Sequence, residues 1–221
     1  VLRQQGVENG LTEYLSDGQR SSAMNGQGAL EKRSAWGELV SYVPVGFDHI
    51  IPKGLDHILF VLGLFFLTLR VSALLWQISA FTLAHTVTLA AGAMGWVTIS
   101  GSVVEPLIAA SIVFVAVENI FSQKLHRWRP ALIFGFGLLH GLGFASVLQE
   151  FGLPDGQFIA ALIGFNIGVE IGQLTVIACA FLLLGVWFGN KPWYRAYISI
   201  PSSCLIALIG AYWVIERTIL A

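Results

Sequence analysis

The 221-residue chain is poor in charge and nearly free of sulfur. Only 11% of its residues are Asp, Glu, Lys or Arg, against about 25% in an ordinary soluble domain, and 56% are hydrophobic. So little charge does not cover the surface of a soluble domain of this size. The same apolar excess excludes a disordered chain. A formal net charge of -1 excludes a basic nucleic-acid binder, so no nucleic-acid partner is expected. Cys179 and Cys204 are the two cysteines, and no CxxC or thiolate cluster exists. Both fall in apolar runs and are expected to be buried as small hydrophobes rather than joined in a disulfide. No phosphate-cradling GxxxxGK[ST] loop is present, so direct nucleotide drive within the chain is not expected. What is left is an all-α polytopic membrane protein in contact with a lipid bilayer.

The scarce charge is unevenly placed. Residues 1–53 hold 11 of the 25 charged residues. Residues 1–43 therefore read as a polar arm, and 44–221 as a six-helix transmembrane domain. Within the arm, Asn9-Gly10, Asp17-Gly18 and the Ser21–Gly28 run are turn or loop signals. Residues 30–43 fit either a linker helix or a helix lying at the membrane surface on a stripe of Trp36, Leu39, Val40 and Val43. The chain opens on Val1 without a short apolar run near its start, which leaves room for a signal peptide or an upstream domain.

A membrane-spanning helix needs about 20 apolar residues. Six stretches qualify, at about 54–70, 71–95, 102–122, 130–149, 157–188 and 195–215. The first is short, and the fifth is long enough to tilt or to project beyond the bilayer. Arg70, Lys124, Arg127, Arg129, Lys191 and Arg195 all fall in alternate connections, whereas the loops at about 96–101 and 150–156 contain no Lys or Arg. By the positive-inside rule the basic connections are cytoplasmic and both termini lie outside, which in a bacterium means the periplasm. Trp96, Trp128, Trp187, Trp193 and Trp213 fall near span ends, as an aromatic belt does.

Ionisable residues inside a bilayer are costly and mark function by default. The set at or within the spans is Asp56, His57, His85, Glu105, Glu118, His140 and Glu170, with no Lys or Arg among them. Such carboxylates are expected to be protonated, hydrogen-bonded, solvated by a cavity or paired with a bound cation. With the termini outside, all but Glu118 fall between the outer boundary and the midplane. Glu118 lies thirteen residues beyond Glu105, about 20 Å deeper, and belongs with Asn119 to an inner layer. His126, in a basic connection, reads as an ordinary cytoplasmic residue.

Helical phase separates the faces of the fifth span. Asn166, Glu170 and Gln173 share one stripe, and Gly164, Gly168 and Gly172 lie roughly opposite. Glycines four apart let a second helix approach closely, as do Gly137 and Gly141 beside His140. Thr82 and Thr88 flank His85 and either orient its ring or bond their own backbone. Asp56 and His57 point about 100° apart, so one is suited to coordinate while the other supports it. Histidines with carboxylates and no thiolate suit Ni, Co, Zn, Fe or Mn rather than soft copper. The competing reading of each histidine is a hydrogen-bonded core residue, and that of Glu105 is a carboxylate favoured by the start of its helix. The candidate metal ligands are thus His57, His85, His140, Asp56, Glu105 and Glu170. Asn166, Gln173, Glu118, Asn119 and His49 form a supporting or pathway set.

GFDHIIPKGLDHILFVLGLFFL (46–67), LLWQISAFTLAHTVTLA (74–90), VEPLIAASIVFVAVEN (104–119), FGFGLLHGLGFASVL (134–148) and FNIGVEIGQL (165–174) together resemble the HupE/UreJ family of bacterial membrane proteins. The resemblance covers about residues 44–185. It implies a protein of the bacterial inner membrane associated with hydrogenase or urease maturation and regarded as a nickel or cobalt permease. It also implies that the family's histidine–aspartate motif is carried by His49, Asp56 and His57. Six residues separate His49 from Asp56, one more than the usual family spacing, which marks a divergent branch.

The leading functional expectation is a permease or binding protein for a divalent transition metal such as Ni, Co or Zn, a transporter rather than an enzyme. The outer histidines and acids would capture the ion, and Glu118 with Asn119 would mark the inner exit. Two alternatives use the same residues: an intramembrane zinc-dependent hydrolase with Asp56 or Glu170 as general base, and a non-catalytic subunit of a larger membrane complex. The partners left open are a homo-oligomer or a larger membrane complex, and a clean monomer or homo-oligomer would count against the third reading.

Overall fold

The computed structural model describes residues 34–122, 124–151 and 157–220 and, for 145–151 and 220, the backbone alone. Most of the polar arm, including the Ser21–Gly28 run, lies outside the described residues. The described residues form seven helices and no strand: α1 Ala35–Ile50, α2 Leu55–Leu67, α3 Val71–Ala93, α4 Gly101–Phe121, α5 Arg129–Phe151, α6 Phe158–Phe188 and α7 Arg195–Ile219. α6 passes through a π-helical turn at Phe181–Gly185, and α7 begins in another at Arg195–Ser199.

α1 starts where Ser34 accepts the backbone N–H of Gly37 at 3.1 Å, with Glu38 in the first turn to complement the helix dipole. It therefore takes up the end of the 30–43 segment but continues past residue 43 without a break. It stops before Pro52, which holds Ile51 in an extended conformation. α2 resumes after Gly54 at 74° to α1.

This bend changes the count of spans. The first was expected at about 54–70, yet α2 has 13 residues, about 20 Å, which is short of a hydrocarbon core of about 30 Å. α1 and α2 reach the required length and apolarity only as a bent pair, a broken span or a re-entrant segment. Hydropathy missed the upstream half because Asp48, His49 and Lys53 interrupt the apolar run. Among the described residues α3, α4, α6 and α7 are each long and apolar enough to cross a membrane, and the bent pair raises the number to five. α5 is a helix of 23 residues.

α2 is the hub. Gly63, Leu64, Phe65 and Phe66 are all buried in succession, so every side of the helix is covered, as expected of a helix that is apolar all round. Three close helix pairs surround it: α1 on α6, α3 on α5, and α4 on α7. Glycines set the first two. A Cβ at Gly164 or Gly168 would collide with the carbonyl oxygens of Leu39 or Val43 on α1, and one at Gly172 would lie 2.8 Å from Cβ of Ile50. On α5, Cβ atoms at Gly137 and Gly141 would meet the carbonyl oxygens of Phe81 and His85.

The outward faces are apolar: Leu83, Val87, Leu107, Phe114, Ile163, Ile167, Ile171 and Leu182 are exposed. An apolar exterior on helices of this length belongs in a bilayer; the chain is an integral membrane protein. Cys179 and Cys204 are free thiols on this exposed surface rather than buried residues. Apolar surroundings in sequence do not distinguish a core from a lipid-facing surface.

Candidate metal centre

Four histidines from four helices meet beside the α1–α2 bend. His49 closes α1, His57 lies in the first turn of α2, and His85 and His140 come from α3 and α5. His57, His85 and His140 are at most 3% exposed. One ring nitrogen from each of His49, His57 and His85 lies within 4.8 Å of the others. Nitrogen–metal bonds of 2.0–2.1 Å place two ligands of one ion no more than about 4.2 Å apart, so the trio stands less than 1 Å from chelating distance. His140 joins from the other side, its ring centroid 4.9 Å from that of His57.

The hydrogen bonds orient these rings. Nδ1 of His140 donates to the Phe136 carbonyl at 2.9 Å. Nδ1 of His85 faces Oδ1 of Asn166 at 3.4 Å, and the Asn166 NH2 donates to the Leu162 carbonyl at 2.8 Å, which fixes the direction of the amide. Nδ1 of His57 lies 3.2 Å from Oδ1 of Asp56. With the proton on Nδ1 in each of these rings, the lone pair is on Nε2. Nε2 is buried and has no hydrogen-bond partner in His49, His57, His85 and His140 alike. Buried polar atoms are normally paired. Four such orphans lie together, three of them with the opposite ring nitrogen held by an acceptor, an arrangement that could hold a metal ion.

A cavity of about 430 Å³ reaches this layer, lined by Tyr42, His49, Lys53, Asp56, His57, Glu105, His140 and Arg217 among others. It opens beside the start of α4 and the end of α7. Arg217 donates to the Glu105 carbonyl at 3.2 Å and lies 5.2 Å from the Trp213 ring. On the opposite side of the histidines, Phe60, Phe81 and Phe136 each sit about one helical turn closer to the basic connections. The Phe60 ring is 5.0 Å from Phe81 and 5.9 Å from Phe136. Phe81 and Phe60 pack directly on His140, with ring centroids 4.9 and 5.2 Å away.

The other predicted residues are distributed as follows. Glu105 is exposed at the cavity wall. Glu170 accepts the Ser79 hydroxyl at 2.8 Å and does not line the cavity. Gln173 accepts the Thr82 hydroxyl at 3.1 Å, so the polar stripe of α6 faces α3. Thr88 bonds its own helix but also the Leu138 carbonyl of α5 at 2.8 Å. Asn119 ties α4 to the Gly63 carbonyl of α2 at 2.7 Å and to Ser203 of α7 at 3.2 Å. Glu118 does have a basic partner, against expectation: Arg129, 1% exposed, pairs with it and donates from Nε to Gln77 at 2.8 Å. The pair crosses a connection between two helices, so no periodicity signals it. Lys53 and Arg217 are the cavity residues that sequence reasoning missed, and His49 stands closer to the centre than its spacing suggested.

The family model described as HupE / UreJ protein matches residues 25–217, most of the chain. No curated protein and no solved structure matches it.

Proposed function

This chain belongs to the HupE/UreJ family, and we propose that it is a permease for a divalent transition-metal cation of the nickel and cobalt class. One observation carries the reading: four buried imidazole Nε2 atoms lack partners in a single layer. His49, His57 and His85 are the primary ligands. His140 and Asp56 complete or support the site, and Asn166 orients His85. Glu105 sits where an ion would first enter the cavity.

The direction of access follows from the loops. Arg70, Lys124, Arg127, Lys191 and Arg195 lie at the end of the helices away from the cavity mouth. By the positive-inside rule that end would be cytoplasmic, so in this reading the cavity faces the periplasm of a bacterial inner membrane, with six spans, the bent α1–α2 pair counted as one, and both termini outside. An ion leaving inward must part the Phe60–Phe81–Phe136 layer and pass the Glu118–Arg129 pair.

The test is direct. Purified protein is expected to bind Ni(II) or Co(II) saturably in calorimetry, and His57→Ala and His85→Ala to abolish that binding. The reading fails if the unaltered protein binds neither ion and cells carrying His57→Ala accumulate the same metal content as cells with the unaltered chain.

A further inference from the structure

At the other end of the molecule a second cavity, of about 460 Å³, lies between the end of α2 and the start of α7. Thr68, Arg70, Tyr194, Arg195 and Ser199 line it with apolar neighbours, and no carboxylate is among its lining residues. Tyr194 is 8% exposed, and its buried hydroxyl has no hydrogen-bond partner. Burial pushes this phenol up to about 12, so it is a donor at neutral pH. Arg195 is tethered to the Ile120 carbonyl at 3.2 Å, and Ser199 donates to the Phe66 carbonyl at 2.7 Å. Arg70 precedes the first turn of α3, which holds no acid and whose N-terminal N–H groups add positive potential.

We propose that this cavity binds the phosphate group of an anionic phospholipid headgroup. Two arginines and a phenol without a hydrogen-bond partner line one cavity that has no carboxylate in its lining, which suits a phosphate oxygen acceptor. Helix ends at the membrane surface are where such headgroups lie, and basic pockets between helices on the cytoplasmic side recognise them. Exposed Trp187 and Tyr197 on α6 and α7 present the amphipathic rings that accompany lipid at this depth. The site lies apart from the histidines and does not depend on the metal reading.

The experiment is lipid retention by the full chain, reconstituted in nanodiscs of equal phosphatidylglycerol and phosphatidylcholine, then extracted in mild detergent and weighed by native mass spectrometry. Phosphatidylglycerol is expected to be retained preferentially. Arg70→Gln and Arg195→Gln should each lower that preference about tenfold, and Tyr194→Phe, which removes a single oxygen, several-fold. Lys191→Gln removes a nearby charge that does not line the cavity and should leave the preference unchanged. Equal retention of the two lipids by the unaltered chain would overturn the proposal. So would an equal loss in Lys191→Gln, or no loss in Tyr194→Phe and Arg70→Gln. Displacement of the bound lipid by millimolar inorganic phosphate would overturn the lipid source in favour of free phosphate.

Discussion

Oδ1 of Asp56 holds its neighbour His57 twice: it lies 3.2 Å from the ring Nδ1 and accepts the backbone N–H of the same residue at 2.9 Å. Adjacent residues on a helix normally diverge, so this contact exists because the turn is the first of α2, where the backbone N–H groups are still unpaired. The carboxylate caps the helix and orients the imidazole at once. Asp56→Asn keeps the shape but loses the charge, and is expected to weaken Ni(II) or Co(II) binding about 10–100-fold, as loss of a ligand-orienting partner does. Calorimetric titration checks it, and unchanged affinity would remove Asp56 from the site.

His49 and Glu170 make opposite predictions. His49 belongs to the trio of converging nitrogens, whereas Glu170, one turn beyond Asn166 on the face of α6 that meets α3, is engaged by Ser79. His49→Ala should reduce metal affinity at least about tenfold, the loss of one coordinating nitrogen. Glu170→Gln should leave it within about twofold. The reverse order would place the site on α6 instead of the bend.

The α1–α6 contact is set by backbone against backbone. Gly168→Val puts a side chain against the Val43 carbonyl, where neither helix can yield without separating. Overpacking of this kind costs about 1–3 kcal/mol. A lowered melting temperature is expected in detergent, and metal binding should fall with it because His49 rides on α1. An unchanged melting temperature would contradict the packing described.

In the Glu118–Arg129 pair the Arg129 side chain is buried and that of Glu118 is 9% exposed, with its Oε1 out of solvent. Arg129→Gln leaves a buried carboxylate without its cation and is expected to destabilise by about 3–5 kcal/mol. The double substitution Glu118→Gln with Arg129→Gln should recover most of that loss in a double-mutant cycle. Additive losses would mean that the two side chains act independently.

Much of this was legible from residue order. Scarcity of charge gave the membrane class, and glycines four apart on two helices gave the close contacts. Depth along the helices brought His57, His85 and His140 together. What remained hidden depends on tertiary geometry. A polar stretch around Asp48, His49 and Lys53 reads as the edge of a span, yet it is a bend inside the helical body. Arg129 reads as a loop residue, yet its connection folds it under α3 and α4. Glu170 shares a stripe with Asn166, but phase places residues on a face without saying which neighbour they meet. Arg217, far along the chain, reaches the cavity only because α7 returns to the side where α4 begins.

The 74° break between α1 and α2 has one more consequence. It divides the proposed ligand set between two levers: His49 is mounted on the lever packed against α6, and His57 on the central helix. The distance between their nitrogens is therefore a reading of the elbow angle. An ion bound as proposed would draw them together and flex the elbow, and straightening it would loosen the grip, so that capture and release would be two positions of one joint.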